Sequence, residues 1–212
     1  MMSSSLTTMR GRFDFECIVR WIQPNERVLD LGCGDGALLS ALKKEKQVRG
    51  YGVELDPDNL AACIKNGVHV LQFDLERGLS GFEDDAFDHV IMSLSLQTVR
   101  HTVPLLKEML RVGHEAVVSF PNFGYQPHRD AIAAGRMPVS RHLPYQWFDT
   151  PNVRFFTIAD FDALCADERI QVRERLAFAH GQPVHANPNL NGEVALYRLG
   201  RSSASFQKAP SA

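Results

Sequence analysis

The stretch Val28 to Leu42, VLDLGCGDGALLSAL, constrains the fold more than any other part of the chain. An apolar run ends in three glycines, Gly32, Gly34 and Gly36, and a helical apolar face of Leu38, Leu39 and Leu42 begins at once. A short apolar run bounded by turn residues reads as a buried strand, so this is a strand–loop–helix unit. Glycine has no Cβ, and a loop rich in it lets backbone N–H groups approach a ligand closely. In an open α/β sheet, ligands sit beyond the carboxyl ends of the strands where the strand order reverses, and the loop after the first strand lies there.

The rest of the chain repeats the alternation. Before the unit, Cys17, Ile18, Trp21 and Ile22 fall at helical spacing within Phe13–Ile22, and Pro24-Asn25 end that helix. After it, VRGYGVELD (Val48–Asp56) reads as a second strand. Asp56 then serves as helix cap, Pro57 as first helical residue, Leu60, Ala61 and Ile64 as apolar face, and Gly67 as C-terminal glycine. VHVLQFD and FDHVIMS read as strands three and four. Thr102 is expected to cap a helix carrying Leu106, Met109 and Leu110 that Gly113 stops, and EAVVSFPN is the fifth strand. Thr157 with Asp160 resembles a capping box ahead of Ile158, Phe161, Leu164 and Cys165. QVRERLAFA and EVALYRL are two late strands joined by the turn-rich HGQPVHANPNLNG, with no helical pattern between them. The expected architecture is α/β and Rossmann-like: a mostly parallel seven-stranded sheet with helices on both faces and an antiparallel edge hairpin. One domain spans 10–200, between a leader at 1–9 (Met9 being a candidate start) and a tail at 201–212, both expected to be disordered.

A net charge of −2 on 212 residues argues against a nucleic-acid binder. No apolar run reaches the roughly 18 residues that span a bilayer, and MMSSSLTTMRGR lacks a signal-peptide core, so a cytoplasmic protein with no membrane partner is expected. The four cysteines lack CxxC spacing and the eight histidines lack HxxxH or HExxH spacing, so no metal site is expected.

A dinucleotide fingerprint would be GxGxxG, but the glycines here are spaced GxGxG behind Asp30. DLGCGDG, Asp30 to Gly36, resembles the first motif of class I S-adenosylmethionine-dependent methyltransferases at every position. The resemblance implies that S-adenosylmethionine or S-adenosylhomocysteine lies against Asp30, Gly32, Cys33, Gly34 and Gly36. It places Glu54, with Leu55 next to it, at the ribose hydroxyls, a task suited to an acceptor-only carboxylate. It puts Asp74 at the adenine amino group, Leu75 beside the ring and Ser93 at the rim. The Cys33 thiol itself reads as a small side chain packed at the turn.

Methyl transfer needs mainly proximity and in-line orientation, with a base only when the acceptor must lose a proton. No NPPY-type segment is present, and the nearest stretch is FPNFGYQ with Asn122. His101, His114 and His128 are candidate bases, but no acid/base pair stands out. Residues 124–153 are dense in Pro, Arg, His and aromatics, with Tyr145, Trp147 and Phe148 near Arg141 and Arg154. A segment of this length without periodicity reads as a lid, a partner-docking surface, or a loop folded onto its own domain.

That segment sharpens the identification. GRMPVSRHLPYQWFDTPNVRFFTIADFDALC, with MLRVGHEAVVSFPNFGYQ, GYGVELDPDNLAACIKNGV and the glycine loop, resembles the MetW family of methionine biosynthesis proteins over Arg10 to Arg198. The resemblance implies a protein that works with a homoserine O-acyltransferase, acetyl or succinyl, and supports its activity. Beside that reading stand an active methyltransferase acting on a small molecule, and an interaction module that no longer binds adenosylmethionine.

Overall fold

The computed structural model describes residues 12–202. The expected leader at 1–9 lies outside the described residues, as does the tail from 203 onward. In chain order the elements are α1 (Phe13–Trp21), β1 (Arg27–Leu31), α2 (Ala37–Lys46), β2 (Arg49–Glu54), α3 (Pro57–Lys65) and β3 (His69–Gln72). A 3₁₀ turn (Leu75–Arg77), β4 (Phe87–Ser93), a second 3₁₀ turn (Leu96–Thr98), α4 (Thr102–Val112) and β5 (Gly113–Pro121) follow. The chain closes with α5 (Gln126–Ala133), α6 (Ile158–Asp167), β6 (Ile170–Ala179), β7 (Gln182–Pro183), α7 (Pro188–Asn191) and β8 (Val194–Arg201).

The strand order is β3-β2-β1-β4-β5-β8-β6-β7. β1 to β5 pair in parallel, and β8 pairs antiparallel with both β5 and β6. The mostly parallel sheet with an antiparallel edge is therefore the one expected. Its strand count is eight rather than seven, because two residues of the turn-rich stretch, Gln182 and Pro183, return against Phe178 and Ala179. β8 ends at Arg201, one residue beyond the expected domain limit.

Strand alternation sorts the core into two layers. Leu29, Leu31, Val90, Met92 and Val118 pack with Leu106 and Met109 of α4 and Phe161 of α6. Val28, Ile91, Val117 and Leu196 pack with Ile18 and Ile22 of α1, Leu38 and Leu42 of α2 and Cys63 of α3. Helices thus cover both faces, as expected for a sheet buried on both sides.

Helix ends follow local chemistry. Asp56 caps α3 by accepting from the N–H groups of Asp58 and Asn59, and Thr157 and Asp160 form a full capping box on α6. Thr102 is not a cap. It is the first residue of α4, the cap position belongs to His101, and the Thr102 hydroxyl donates to the Val99 carbonyl at 3.3 Å. Within 124–153 the sequence shows no periodicity, yet Gln126–Ala133 is helical, with Pro127 in its first turn. No described helix is long and apolar enough to cross a membrane.

Candidate functional site

The chain runs outward from β1 to β3 and then returns to place β4 on the other side of β1. The strand order reverses between β1 and β4, and both of their carboxyl ends open there. The glycine loop fills the opening. Gly32, Gly34 and Gly36 all have positive φ, +69°, +57° and +75°, which residues with a Cβ adopt only under strain. Gly32 also lies against Ser95, whose Oγ would stand 3.2 Å from an added Cβ. The loop is pinned below by Gly32 and Cys33 N–H groups donating to the Val53 carbonyl at 2.8 and 3.1 Å.

Glu54, at the end of β2, meets the loop from the side. Its Oε2 accepts from Gly34 N–H at 2.8 Å, and its Oε1 accepts from Leu55 and Asp56 N–H at 2.8 and 3.0 Å. A carboxylate offers about four lone-pair positions, so one remains. Leu55 beside it is an exposed apolar side chain. Asp74 follows β3 and caps the first 3₁₀ turn by accepting from Glu76 N–H at 3.0 Å, and Leu75 packs its side chain on the core.

Asp30 is only 3% exposed, and no described residue donates a hydrogen bond to its carboxylate. Burial pushes it up to about 7, against the pull of Arg12 and with a further push from Glu54. A carboxylate buried this deeply without a donor from the chain is costly to keep charged. Cys33 packs its Sγ 3.7 Å from the Cys63 Sγ, and burial pushes both thiols up, which leaves them unreactive.

Ser93 is differently engaged from the expectation. Its Oγ accepts from Arg12 Nη2 at 2.7 Å and donates to Asp14 Oδ2 at 2.8 Å, within 3.2 Å of the Ser119 Oγ. Asp14 is buried and held bidentately by Arg12, which outweighs the cost of burial and keeps it ionised. The start of α1 is thereby bolted to the carboxyl ends of β4 and β5. Sequence reasoning read α1 only for its apolar face and missed this network, since the partners stand 79 residues or more apart.

The candidate bases separate. His114 opens β5 at the amino end of the strand, facing Asp85 and Asp88. His101 is exposed, 3.8 Å from Glu76. His128 is buried on α5, Nδ1 against the Asn122 carbonyl at 3.0 Å and Nε2 3.3 Å from Ser140 Oγ, and desolvation lowers it toward the neutral form. Asn122 is a structural clasp. Its amide donates to the Asn189 and Gly192 carbonyls, and its Oδ1 accepts from Gly124 and Ile158 N–H. An acid/base pair that sequence reasoning did not find, His142 Nδ1 facing Glu193 Oε1 at 2.9 Å, lies in a cavity of about 420 Å³ next to Asp14.

Residues 124–153 are anchored at their end by Val153 and Arg154 N–H groups, both donating to the Gln97 carbonyl at 3.0 Å. Between the anchors, Trp147 and Phe148 are 73% and 70% exposed, with Tyr145, Val139 and Met137 also open. Apolar side chains of that size grouped on one surface are what partner interfaces present.

The family model described as "Methionine biosynthesis protein MetW" matches residues 12–199. The bifunctional methionine biosynthesis protein MetXA/MetW of Rhodopirellula baltica is 39% identical over 90% of this chain, which spans 33% of that relative's length. The ribosomal protein L11 methyltransferase of Thiobacillus denitrificans is 31% identical over 48% of this chain and 36% of its own. Among solved structures, an S-adenosylmethionine-dependent methyltransferase from Mesorhizobium loti superposes with a TM-score of 0.65 at 19% identity, over 89% of this chain and 98% of its own. A methyltransferase from Thermotoga maritima does so with the same score and identity over 92% and 90%. These two likenesses establish the class I methyltransferase fold.

Proposed function

The chain belongs to the MetW family of methionine biosynthesis proteins, and on that premise we propose that it is an adenosylmethionine-binding partner subunit of a homoserine O-acyltransferase. The observation that carries the partnership is the relative in which a MetXA and a MetW part share one bifunctional chain. Fusion keeps two proteins at high effective concentration, which gains most where they act together. The 124–153 surface is the proposed contact: Trp147 and Phe148 stand open to solvent instead of folding over the strand ends, which favours docking over a lid.

The residues present fit adenosylmethionine. The loop of three positive-φ glycines would take the amino-acid end closely, and Asp30 would receive its ammonium, the donor that this carboxylate lacks. Glu54 would accept from the ribose with its remaining lone pair, while Asp74 and Leu75 would flank the adenine. Ser93, committed to Arg12 and Asp14, would shape the rim rather than touch the ligand. When bound, the cofactor supplies an electrophilic methyl group; the chain's own residues bind and orient it.

The test is the acyltransferase rate of the same organism with and without this protein, at micromolar concentrations, and then with adenosylmethionine added. A rise on mixing supports the reading. No rise with both proteins folded overturns it in favour of a small-molecule methyltransferase, the reading that the cavity beside Asp14 favours.

A further inference from the structure

We propose that the cavity bounded by the start of α1, the β6–β7 turn, residues 140–142 and the start of β8 is a second ligand site, taking a small organic ammonium ion with an apolar body. The site lies outside the glycine loop and next to it, because Asp14 lines the cavity and is bonded to Ser93 at the end of β4. At about 420 Å³ it falls within the size range of small-molecule pockets.

Its wall is apolar over most of its extent: Phe13, Phe178, Tyr125 and Val194 contribute rings and aliphatic surface. Phe13 and Phe178 stand face to face with ring centres 6.4 Å apart. The β6–β7 turn is held tightly onto Phe13 by Gly181, where a Cβ would come within 3 Å of three atoms of that ring. The wall is therefore built rather than left over between loops.

The polar groups set the sign of the ligand. Glu193 is 7% exposed and lines the cavity; Oε1 faces His142, while Oε2 has no hydrogen-bond donor among the described residues. The His142 ring beside it, 2.9 Å away, holds Glu193 below the usual carboxylate range, so it is charged. A carboxylate only accepts, so its free oxygen offers the cavity an acceptor that a ligand donor can take. The chain's own basic groups are engaged elsewhere than at Oε2: Arg12 with Asp14 and Ser93, His142 with Glu193 Oε1, His180 with the Tyr125 hydroxyl at 3.2 Å, and His128, kept neutral by burial, with Asn122 and Ser140. An ammonium head bonds to Glu193 and gains from the aromatic faces, whereas an anion would meet the buried Glu193 carboxylate. Arg141 also lines the cavity, on its exposed rim.

This inference does not rest on the proposed function, and its test contains neither acyltransferase nor adenosylmethionine. The full chain is titrated calorimetrically at neutral pH with 2-phenylethylamine and its neutral and anionic counterparts, 2-phenylethanol and phenylacetate. The amine is expected to bind at least about tenfold more tightly than either. Glu193→Gln is expected to weaken the amine by about tenfold and leave the alcohol unchanged. Ala179→Phe, which fills the cavity without touching a charge, is expected to remove binding of all three. Equal affinity for the three probes, preference for phenylacetate, no amine binding below about 10 mM, or amine binding unchanged in Ala179→Phe would each overturn the proposal. If Glu193→Gln does not fold, the probe series on the natural chain and the Ala179→Phe variant still decide it.

Discussion

Glu54 Oε2 accepts a hydrogen bond from the backbone N–H of Gly34 at 2.8 Å, so the end of β2 holds the middle of the glycine loop. The same carboxylate binds the N–H groups of Leu55 and Asp56. One side chain therefore sets the loop's position and also faces the proposed ribose subsite. Glu54→Ala removes three acceptor contacts with a charged group, each worth about 1.5–3 kcal/mol at most in a partly buried place. Partial replacement by water leaves an expected loss of about 2 kcal/mol, or about 5 °C in Tm for a chain of this size. Adenosylmethionine affinity should fall by more than about tenfold. Differential scanning calorimetry and titration of the same variant separate the two effects.

Asp30 makes a pH-dependent prediction. Its carboxyl holds a proton up to about 7 in the folded chain, against an ordinary value near 3.8 when unfolded. Between those limits the folded state binds more protons than the unfolded one, so this group makes the protein less stable as pH rises, by at most about 1.4 kcal/mol per pH unit. Asp30→Asn removes the titration. Its Tm should match that of the natural chain at about pH 4 and exceed it by several degrees at about pH 8. The variant should bind adenosylmethionine more weakly, because the buried negative charge is the proposed partner of its ammonium. A Tm difference independent of pH would refute the assignment.

Asn122 is fully buried and makes four hydrogen bonds with three separate segments. Asn122→Ala leaves two carbonyls and two N–H groups without partners, and is expected to cost about 3–5 kcal/mol in urea denaturation. Asn122→Asp should be no milder, since its oxygens cannot donate to the Asn189 and Gly192 carbonyls.

Trp147→Ser and Phe148→Ser test the docking surface. Both side chains are open to solvent, so stability should change by under about 0.5 kcal/mol. Binding to the acyltransferase should weaken by about tenfold or more for either. Unchanged binding, measured by surface plasmon resonance, would move the contact elsewhere.

The strands and caps that local chemistry decides were legible: β4 is Phe87–Ser93 as read, and the Asp56 and Thr157 caps form as expected. The reversal point and its glycines were legible for the same reason, since a conformation that only glycine adopts freely leaves its mark in the sequence. Four features escaped, each for lack of local signal. Helix α5 has only 8 residues and a weak apolar face, β7 is two residues long, and the Asn122 clasp and the His142–Glu193 pair join segments that only the folded chain brings together. Ser93 shows the converse. Its position at a strand end was legible, but the claim of Arg12 and Asp14 on its hydroxyl was not.

β8 lies between β5 and β6 although it follows every other strand of the described residues. While the chain emerges from the ribosome, β5 and β6 each have a bare edge that no earlier segment covers, and the pairings they await span up to 85 residues, from Glu115 to Gly200. The half formed by β1 to β4 can assemble early, but the other half must wait for β8 and then close in one step. A nascent chain of this design is most exposed to aggregation just before β8 emerges.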